Sequence, residues 1–452
     1  MTPNPREWNR FKDIRFLIRN RKDLIALVRE GHRRCGDYVS CSVLGAKMYL
    51  VSDPDAIETV LHSHQDNYIQ GEPDWSPYVR ALGRGLLFAD GQQHRWQRGL
   101  VQAALEPQRI AAYASTTLDA IQEVQRNWEN RTGTMIDVHQ EMLQLALTVV
   151  VRTIFADTVI SEISRIGELS TRILLLSTEL YFQPAGRFPW LPTPKQAQLK
   201  RLIQEYDGIL YEAIRKRRTD PSKGNDLLSM LLQDPAKRPE SARHAPPLSE
   251  KDVRDLAVGL LSAGHETTAN MLSWAWYLLA KNPEAQECLH SELRRVLGGR
   301  AATVDDLNRL PYTAKVIKET LRMYPPVWLI ARRAIKDDVI RGYRIPAGGR
   351  VFMSPYIVQR DARWHENPDR FDPSRVIPED GAPRPRFSYF PFGAGSRHCV
   401  GQPFAEMVGR LVIANLAQRF SLREEQGRTI EPDSSFLRPR GGMKMCLANT
   451  SS

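Results

Sequence analysis

Cysteine is scarce in this chain: five in 452 residues, at Cys35, Cys41, Cys288, Cys399 and Cys446. The number is odd and no two stand in a Cys-x-x-Cys pair, so neither a disulfide framework nor a structural zinc site is expected. Long apolar runs are missing as well. No stretch approaches the roughly 20 apolar residues that cross a bilayer. The first 34 residues are dense in Arg and Lys and lack the apolar core of a secretory signal. The expected setting is therefore soluble, reducing and cytoplasmic, with no membrane span. Internal repeats and low-complexity tracts are absent, as are a Gly-rich dinucleotide motif and a recognisable nucleic-acid-binding motif.

What is present is an ordinary globular balance, with 42% hydrophobic and 25% charged residues, close to the usual soluble composition. A net charge of +11 raises an anionic partner as a question, either nucleic acid or a membrane surface. Alternating apolar residues predict strands at 38–43 and 48–51 with a turn at Gly45, and Pro54 opens a short helix to His62. Helical spacing then runs through 92–155, 163–180 and 196–217. Residues 181–194 form a Pro- and aromatic-rich loop, and 235–247, with four prolines, reads as an exposed linker. Leu248-Ser249-Glu250 begins the strongest helix, reaching about Ala280. More helix follows to about Tyr324, then short strands in 327–351, an irregular Pro-rich stretch in 361–391, a helix in 402–420 and a tail of strand and turn. The expected class is mainly α with small β-sheets.

The segment Phe392-Gly393-Ala394-Gly395-Ser396-Arg397-His398-Cys399-Val400-Gly401 concentrates chemistry. Glycines let a backbone turn tightly and approach a flat ligand. Cys399 lies three residues before a helix, whose N-terminal N–H groups favour a thiolate. Arg397 can pair with a carboxylate, and Phe392 can shield the sulfur. Taken alone, the segment also fits a buried free cysteine in a turn. Two further patterns accompany it. Glu319 and Arg322 sit at i, i+3 on one helical face, and Gly264, Thr267 and Thr268 share a face of the strongest helix beside Glu266.

Together these segments resemble the cytochrome P450 superfamily. The loop matches Phe-x-x-Gly-x-Arg-x-Cys-x-Gly at each fixed position, Glu319-Thr320-Leu321-Arg322 matches Glu-x-x-Arg, and Ala263-Gly264-His265-Glu266-Thr267-Thr268 matches the acid–alcohol motif. The resemblance implies a single domain over 1–452. Its β-rich N-terminal lobe would draw on roughly 37–70 and 327–360, with haem b between the central helix and the helix after the cysteine loop. Cys399 would be the axial iron ligand, with Phe392, Gly395, Arg397 and Gly401 shaping the haem loop. His94, Arg98 and Arg332 would meet the propionates. His94 departs from the Trp found in many members. Arg375, within Phe371-Asp372-Pro373-Ser374-Arg375, would complete a structural network with Glu319 and Arg322. Glu266 and Thr267 would deliver protons to dioxygen. Leu87, Phe88, Leu260, Ala263, Val327, Leu329 and Phe436 would line the substrate pocket.

The implied function is O2-dependent hydroxylation or epoxidation of a lipophilic natural product, such as a terpenoid, fatty acid or polyketide-like compound. Electrons from NAD(P)H would come through a separate ferredoxin or flavodoxin and its reductase, with the enzyme a monomer. The +11 charge then suits an acidic electron donor better than nucleic acid. Two alternatives stay open: a peroxide-dependent peroxygenase or isomerase, and a non-catalytic haem-binding sensor.

Overall fold

The computed structural model describes residues 6–7, 23–43, 46–181, 183–219, 226–238, 240–375, 380–381, 383–425 and 429–450. Gly45 lies outside them. The long helices are α1 (Leu24–Cys35), α2 (Gly91–Ala104), α3 (Pro107–Glu129), α4 (Val138–Phe155), α5 (Ile163–Tyr181), α6 (Pro194–Thr219), α7 (Glu250–Lys281), α8 (Pro283–Leu297), α9 (Pro311–Met323) and α10 (Gln402–Leu416). The strands are β1 (Arg6–Glu7), β2 (Tyr38–Val43), β3 (Ala46–Val51), β4 (Tyr68–Ile69), β5 (Met135–Asp137), β6 (Ile330–Ala334), β7 (Asp338–Ile340), β8 (Tyr343–Ile345), β9 (Arg350–Met353), β10 (Phe420–Glu424) and β11 (Lys444–Asn449). The chain is mainly helical with small sheets.

The largest sheet has the order β1-β2-β3-β9-β6-β4, so strands from both ends of the sequence alternate within it. Strands β2 and β3 form an antiparallel hairpin with Tyr38 opposite Val51, and β9 joins β3 in parallel with Met48 opposite Arg350. A second sheet orders β10-β11-β5, and β7 with β8 make a separate hairpin.

Helix α7 is the axis on which the rest packs. Its start is set by a capping box: Ser249 Oγ accepts from the Asp252 N–H at 3.1 Å and the Asp252 carboxylate accepts from the Ser249 N–H at 3.0 Å. This satisfies two orphan donors at once. Its C-terminal half carries Trp274 and Trp276 in the core shared with α3, α4, α9 and α10. Its N-terminal half joins the core of α2, α5 and α6. Helix α10 meets α7 closely where Gly409 faces Met271: a Cβ at Gly409 would lie 2.7 Å from the Met271 methyl.

Two sequence expectations change. Most described residues of 235–247 are exposed, as expected, but the stretch is tied down rather than a free linker. The Arg238 side chain is buried, and its guanidinium donates to the carbonyls of Gln233, Ala245 and Pro246 at 3.2, 3.2 and 3.1 Å. Those three bonds tie a Pro-rich segment back on itself. The last helix also ends earlier than expected, at Leu416. Phe420 opens β10 instead, paired with Asn449 and packed edge-on against Trp128 at 5.4 Å.

Trp274 is fully buried, stacked on Tyr324 with ring centroids 3.9 Å apart, and its Nε1 donates to the Leu437 carbonyl at 2.7 Å. Trp274→Ala is expected to lower unfolding free energy by about 3–5 kcal/mol, read from urea unfolding. A midpoint equal to that of the parent protein would contradict its place in the core.

Candidate active site

The cysteine loop has its shape because two glycines permit it. Gly393 and Gly395 have φ of +68° and +65°, a region that favours glycine. A Cβ on Gly395 would stand 1.8 Å from the Leu61 carbonyl oxygen, so the loop lies directly on backbone there. The Ser396 N–H donates to Gln65 Oε1 at 2.6 Å, and the Cys399 N–H closes the loop on the Phe392 carbonyl at 3.0 Å. Phe392 packs on the large core beneath.

Cys399 is enclosed by protein yet keeps accessible surface, the signature of a side chain lining an internal space. Burial pushes its thiol up, against N–H donors from Gly401 and Gln402 and the nearby Arg98 charge. The helix-end N–H groups and the Arg98 charge act against that burial, in the direction the sequence leads one to expect. A cation on the open side of the sulfur would supply what is missing.

Helix α7 is buried from Val253 to Leu279 except at Leu260, Ala263, Gly264 and Thr267. Those positions stand at i, i+3, i+4 and i+7, one narrow stripe of a helix. A stripe with accessible surface on an otherwise buried helix borders a cavity. Gly264 also lets α4 approach: a Cβ there would meet Val150 at 3.0 Å.

A positive cradle lies to one side of the loop. His94 and Arg98 stand one turn apart on α2, Arg332 comes from β6 and Arg397 from the loop. Burial, with Arg397 and Arg98 close by, pushes His94 down to about 4. Burial and Arg397 push Arg332 down to about 10. The anion within this group is Asp90, which accepts from Arg397 at 2.5 Å but also from the N–H groups of Gln70 and Gly71 at 2.9 and 3.0 Å. Arg98 donates to the His398 carbonyl at 2.8 Å and Arg332 to Gln70 Oε1 at 3.2 Å. Three guanidinium groups and an imidazole thus crowd around one carboxylate, an arrangement suited to a further dianionic ligand.

The loop is held from behind by a buried ion network. Arg322 has no exposed side-chain surface and forms a two-pronged bond to Glu319, 2.8 Å on each arm. Arg375 Nε donates to the same carboxylate at 3.2 Å, as does the Asp372 N–H at 3.1 Å. Arg322 also donates to the Gln359 carbonyl at 2.8 Å. The Gln359 amide donates to the carbonyls of Leu321 and Arg322, both at 3.0 Å, while its oxygen accepts from the Phe390 N–H at 2.9 Å. Phe390 is two residues before Phe392.

On α7, Thr267 Oγ1 donates to the Ala263 carbonyl at 2.5 Å. Glu266 is 2% exposed, and its Oε1 accepts from Thr171 at 3.1 Å. Burial raises the Glu266 pKa, with Arg438 and Thr171 pulling the other way.

The family model for cytochrome P450 matches residues 3–447. The chain belongs to the cytochrome P450 family. It is accordingly a P450 monooxygenase. It is similar to a protein named cyclooctatin synthase from Streptomyces melanosporofaciens, 34% identical over 91% of this chain and 88% of the relative. It also resembles cyclooctat-9-en-7-ol 5-monooxygenase from the same organism, 33% identical over 87% of this chain and 84% of the relative. In fold it matches the crystal structure of the cytochrome P450DA haem domain, with a TM-score of 0.85, 22% identity and coverage of 95% and 93% of the two chains.

The donor set of this P450 fits the haem group that the family implies. A sulfur with accessible surface sits in a glycine-shaped loop, Arg98 lies near it, and Arg332 and Arg397 gather with Arg98 around His94. Of the apolar residues expected near substrate, Leu87 and Val327 are 38% and 40% exposed, and Phe88, Leu260, Ala263, Leu329 and Phe436 are half-buried. Leu87 approaches α7 at Gly259, where a Cβ would lie 3.9 Å from its side chain. Sequence reasoning missed Asp90, Gln65 and Gln359, since each acts through contacts with segments remote in the chain and none sits in a periodic pattern.

Glu319→Gln removes the charge that compensates a fully buried guanidinium. Breaking a buried pair from one side costs about 3–5 kcal/mol, so a markedly lower thermal unfolding temperature is expected for the purified variant. An unchanged temperature would show that the network carries no stability.

Proposed function

We propose that this P450 hydroxylates or epoxidises a lipophilic terpenoid, with haem b held by Cys399 as its thiolate ligand. The observation that carries the reading is the glycine-shaped loop that leaves the Cys399 sulfur accessible within an enclosing fold, with guanidinium groups gathered beside it; we read the Leu260–Ala263–Gly264–Thr267 stripe as the facing wall. Haem bound there supplies dioxygen activation with two electrons, and a thiolate ligand favours O–O cleavage.

The protein's own part is binding, orientation and proton supply. Gly395 lets the loop lie on the Leu61 carbonyl, Gly401 leaves the flank of the Cys399 sulfur open, and Phe392 would shield the sulfur. His94, Arg98, Arg332 and Arg397 hold the two propionates. Glu319, Arg322 and Arg375 hold the loop through the adjoining Pro-rich stretch. Glu266 carries a proton toward the cavity and the Thr267 hydroxyl passes it on, since a buried carboxyl with a raised pKa is suited to proton transfer near neutral pH. Leu87, Phe88, Leu260, Ala263, Val327, Leu329 and Phe436 form an apolar wall that excludes water and orients the substrate. Relatives named for cyclooctatin and for cyclooctat-9-en-7-ol favour a terpenoid.

We further read the whole chain as one soluble, cytoplasmic, monomeric domain fed by NAD(P)H through a separate ferredoxin or flavodoxin and its reductase. No described helix is long and apolar enough to cross a membrane. A cavity of about 550 Å3 runs along the cysteine loop beside His62, Arg386 and His398. The +11 net charge, with Arg386 on that lining, suits an acidic donor protein.

Reduced, CO-treated protein is expected to show the strongly red-shifted Soret band of thiolate-ligated haem, and Cys399→Ser is expected to lose it. Persistence of the band in the variant would overturn the ligand assignment. Thr267→Ala should retain haem but divert about 10-fold or more of the electron flow from product to peroxide, in line with the weight of positioned proton donors. Measuring NAD(P)H consumed against hydroxylated product reads this directly, and full coupling would remove Thr267 from the proton route. Turnover with peroxide alone, and none with the reductase chain, would favour the peroxygenase alternative.

A further inference from the structure

Glu266 also has a partner that no sequence motif announces. Glu266, Asn270 and Trp274 stand at i, i+4 and i+8, on one face of α7. That face grips the C-terminal turn 433–438. Asn270 Nδ2 donates to the Phe436 carbonyl at 2.9 Å and Trp274 Nε1 to the Leu437 carbonyl at 2.7 Å. Trp328 Nε1 donates to the Ser434 carbonyl at 3.0 Å, and the Ser435 N–H caps the Asp433 carboxylate at 2.6 Å. Phe436 and Leu437 have φ of 55° and 50°, two consecutive residues with a Cβ in the left-handed region. Such a conformation persists only where the surroundings impose it, and it is often tied to function.

The turn brings Arg438 onto the third member of the α7 face. Its Nε lies 3.3 Å from Glu266 Oε2, with side chains 13% and 3% exposed. The contact is an ion pair without hydrogen-bond geometry, since Oε2 has no hydrogen-bond partner. The groups that act on Glu266 are Thr171 on α5 and Asp433 with Arg438 on the turn, while His139 on α4 and the adjacent His265 lie around Arg438. Both histidines feel the Arg438 charge, and burial pushes each down to about 4. His139 Nε2, His265 Nδ1, Asn270 Oδ1 and Ser170 Oγ, like Glu266 Oε2, are buried without hydrogen-bond partners. Clustered orphan atoms of this kind are where internal waters bind.

We propose that Arg438 is a positioning residue for Glu266: the strained turn holds its guanidinium as the counter-ion that sets the carboxylate's charge and aim. The inference rests on Glu266 as the proton relay. A counter-ion that pairs loosely fixes the carboxylate between proton transfers and still lets it rotate.

Infrared titration of the haem-loaded protein tests this, with the Glu266 carboxyl band assigned by subtraction of Glu266→Gln. Removing a cation from that distance shifts a carboxyl by roughly 1–3 units, so in Arg438→Gln the band should protonate that much higher in pH. Arg438→Lys should stay near the parent value. Asn270→Ala, which loosens the turn and leaves both charges in place, should shift the band in the same direction by less. Product coupling and the solvent isotope effect on turnover should change in Arg438→Gln and recover in Arg438→Lys. A band that titrates alike in the parent, Arg438→Gln and Asn270→Ala would overturn the proposal while leaving the relay reading intact. Normal coupling and isotope effect in Glu266→Gln would overturn the relay reading and with it the role of Arg438 in turnover.

Discussion

A guanidinium without solvent lies at the centre of this molecule. Arg322 is fully buried, and charge in that setting is tolerated only when each donor has a partner. Glu319 takes two of its bonds, and the carbonyls of Gln359 and Arg370 take others at 2.8 and 3.2 Å. These acceptors lie on α9, on the turn after β9 and on the Pro-rich stretch. Satisfying one charge therefore fixes three segments relative to each other. Gln359 passes the constraint on through the Phe390 N–H, and two residues later the cysteine loop begins. The irregular stretch before the loop has little periodic hydrophobic packing, and the ion network replaces it.

The same logic of compensated charge organises the space beside α7. Cys399 has a thiol pushed up by burial, and the cradle of His94, Arg98, Arg332 and Arg397 has more positive charge than Asp90 balances. One side is short of a cation and the other of anions. A single group carrying a metal ion and two carboxylates answers both deficits, which is why the donor chemistry fits haem without appeal to any one residue. Helix α7 leaves just four positions of its buried length, Val253 to Leu279, accessible, in one stripe along the helix.

Much of this was legible in the sequence, for reasons that differ by element. The β2–β3 hairpin and the start of α7 followed from alternation and from Ser249, signals carried within a few residues. The cysteine loop, Glu319-x-x-Arg322 and the acid–alcohol motif were legible because each is contiguous. The hidden parts depend on tertiary approach. Arg238 turned an apparent linker into a tied loop by binding three carbonyls, and nothing local marks an arginine that does so. Phe420 left the expected helix because Asn449 and Trp128 offered it a strand position and a ring to pack on. Arg438 reaches Glu266 only through a turn with two left-handed residues, neither of them glycine.

The central claim is that the fold presents one sulfur, from Cys399, to a metal-bearing cofactor between α7 and the cysteine loop. X-ray absorption at the iron edge of the purified, haem-loaded ferric protein tests it most directly. The account expects a single sulfur neighbour in the iron's first coordination shell alongside the four nitrogens of the haem. A first shell made up of nitrogen and oxygen alone would contradict it.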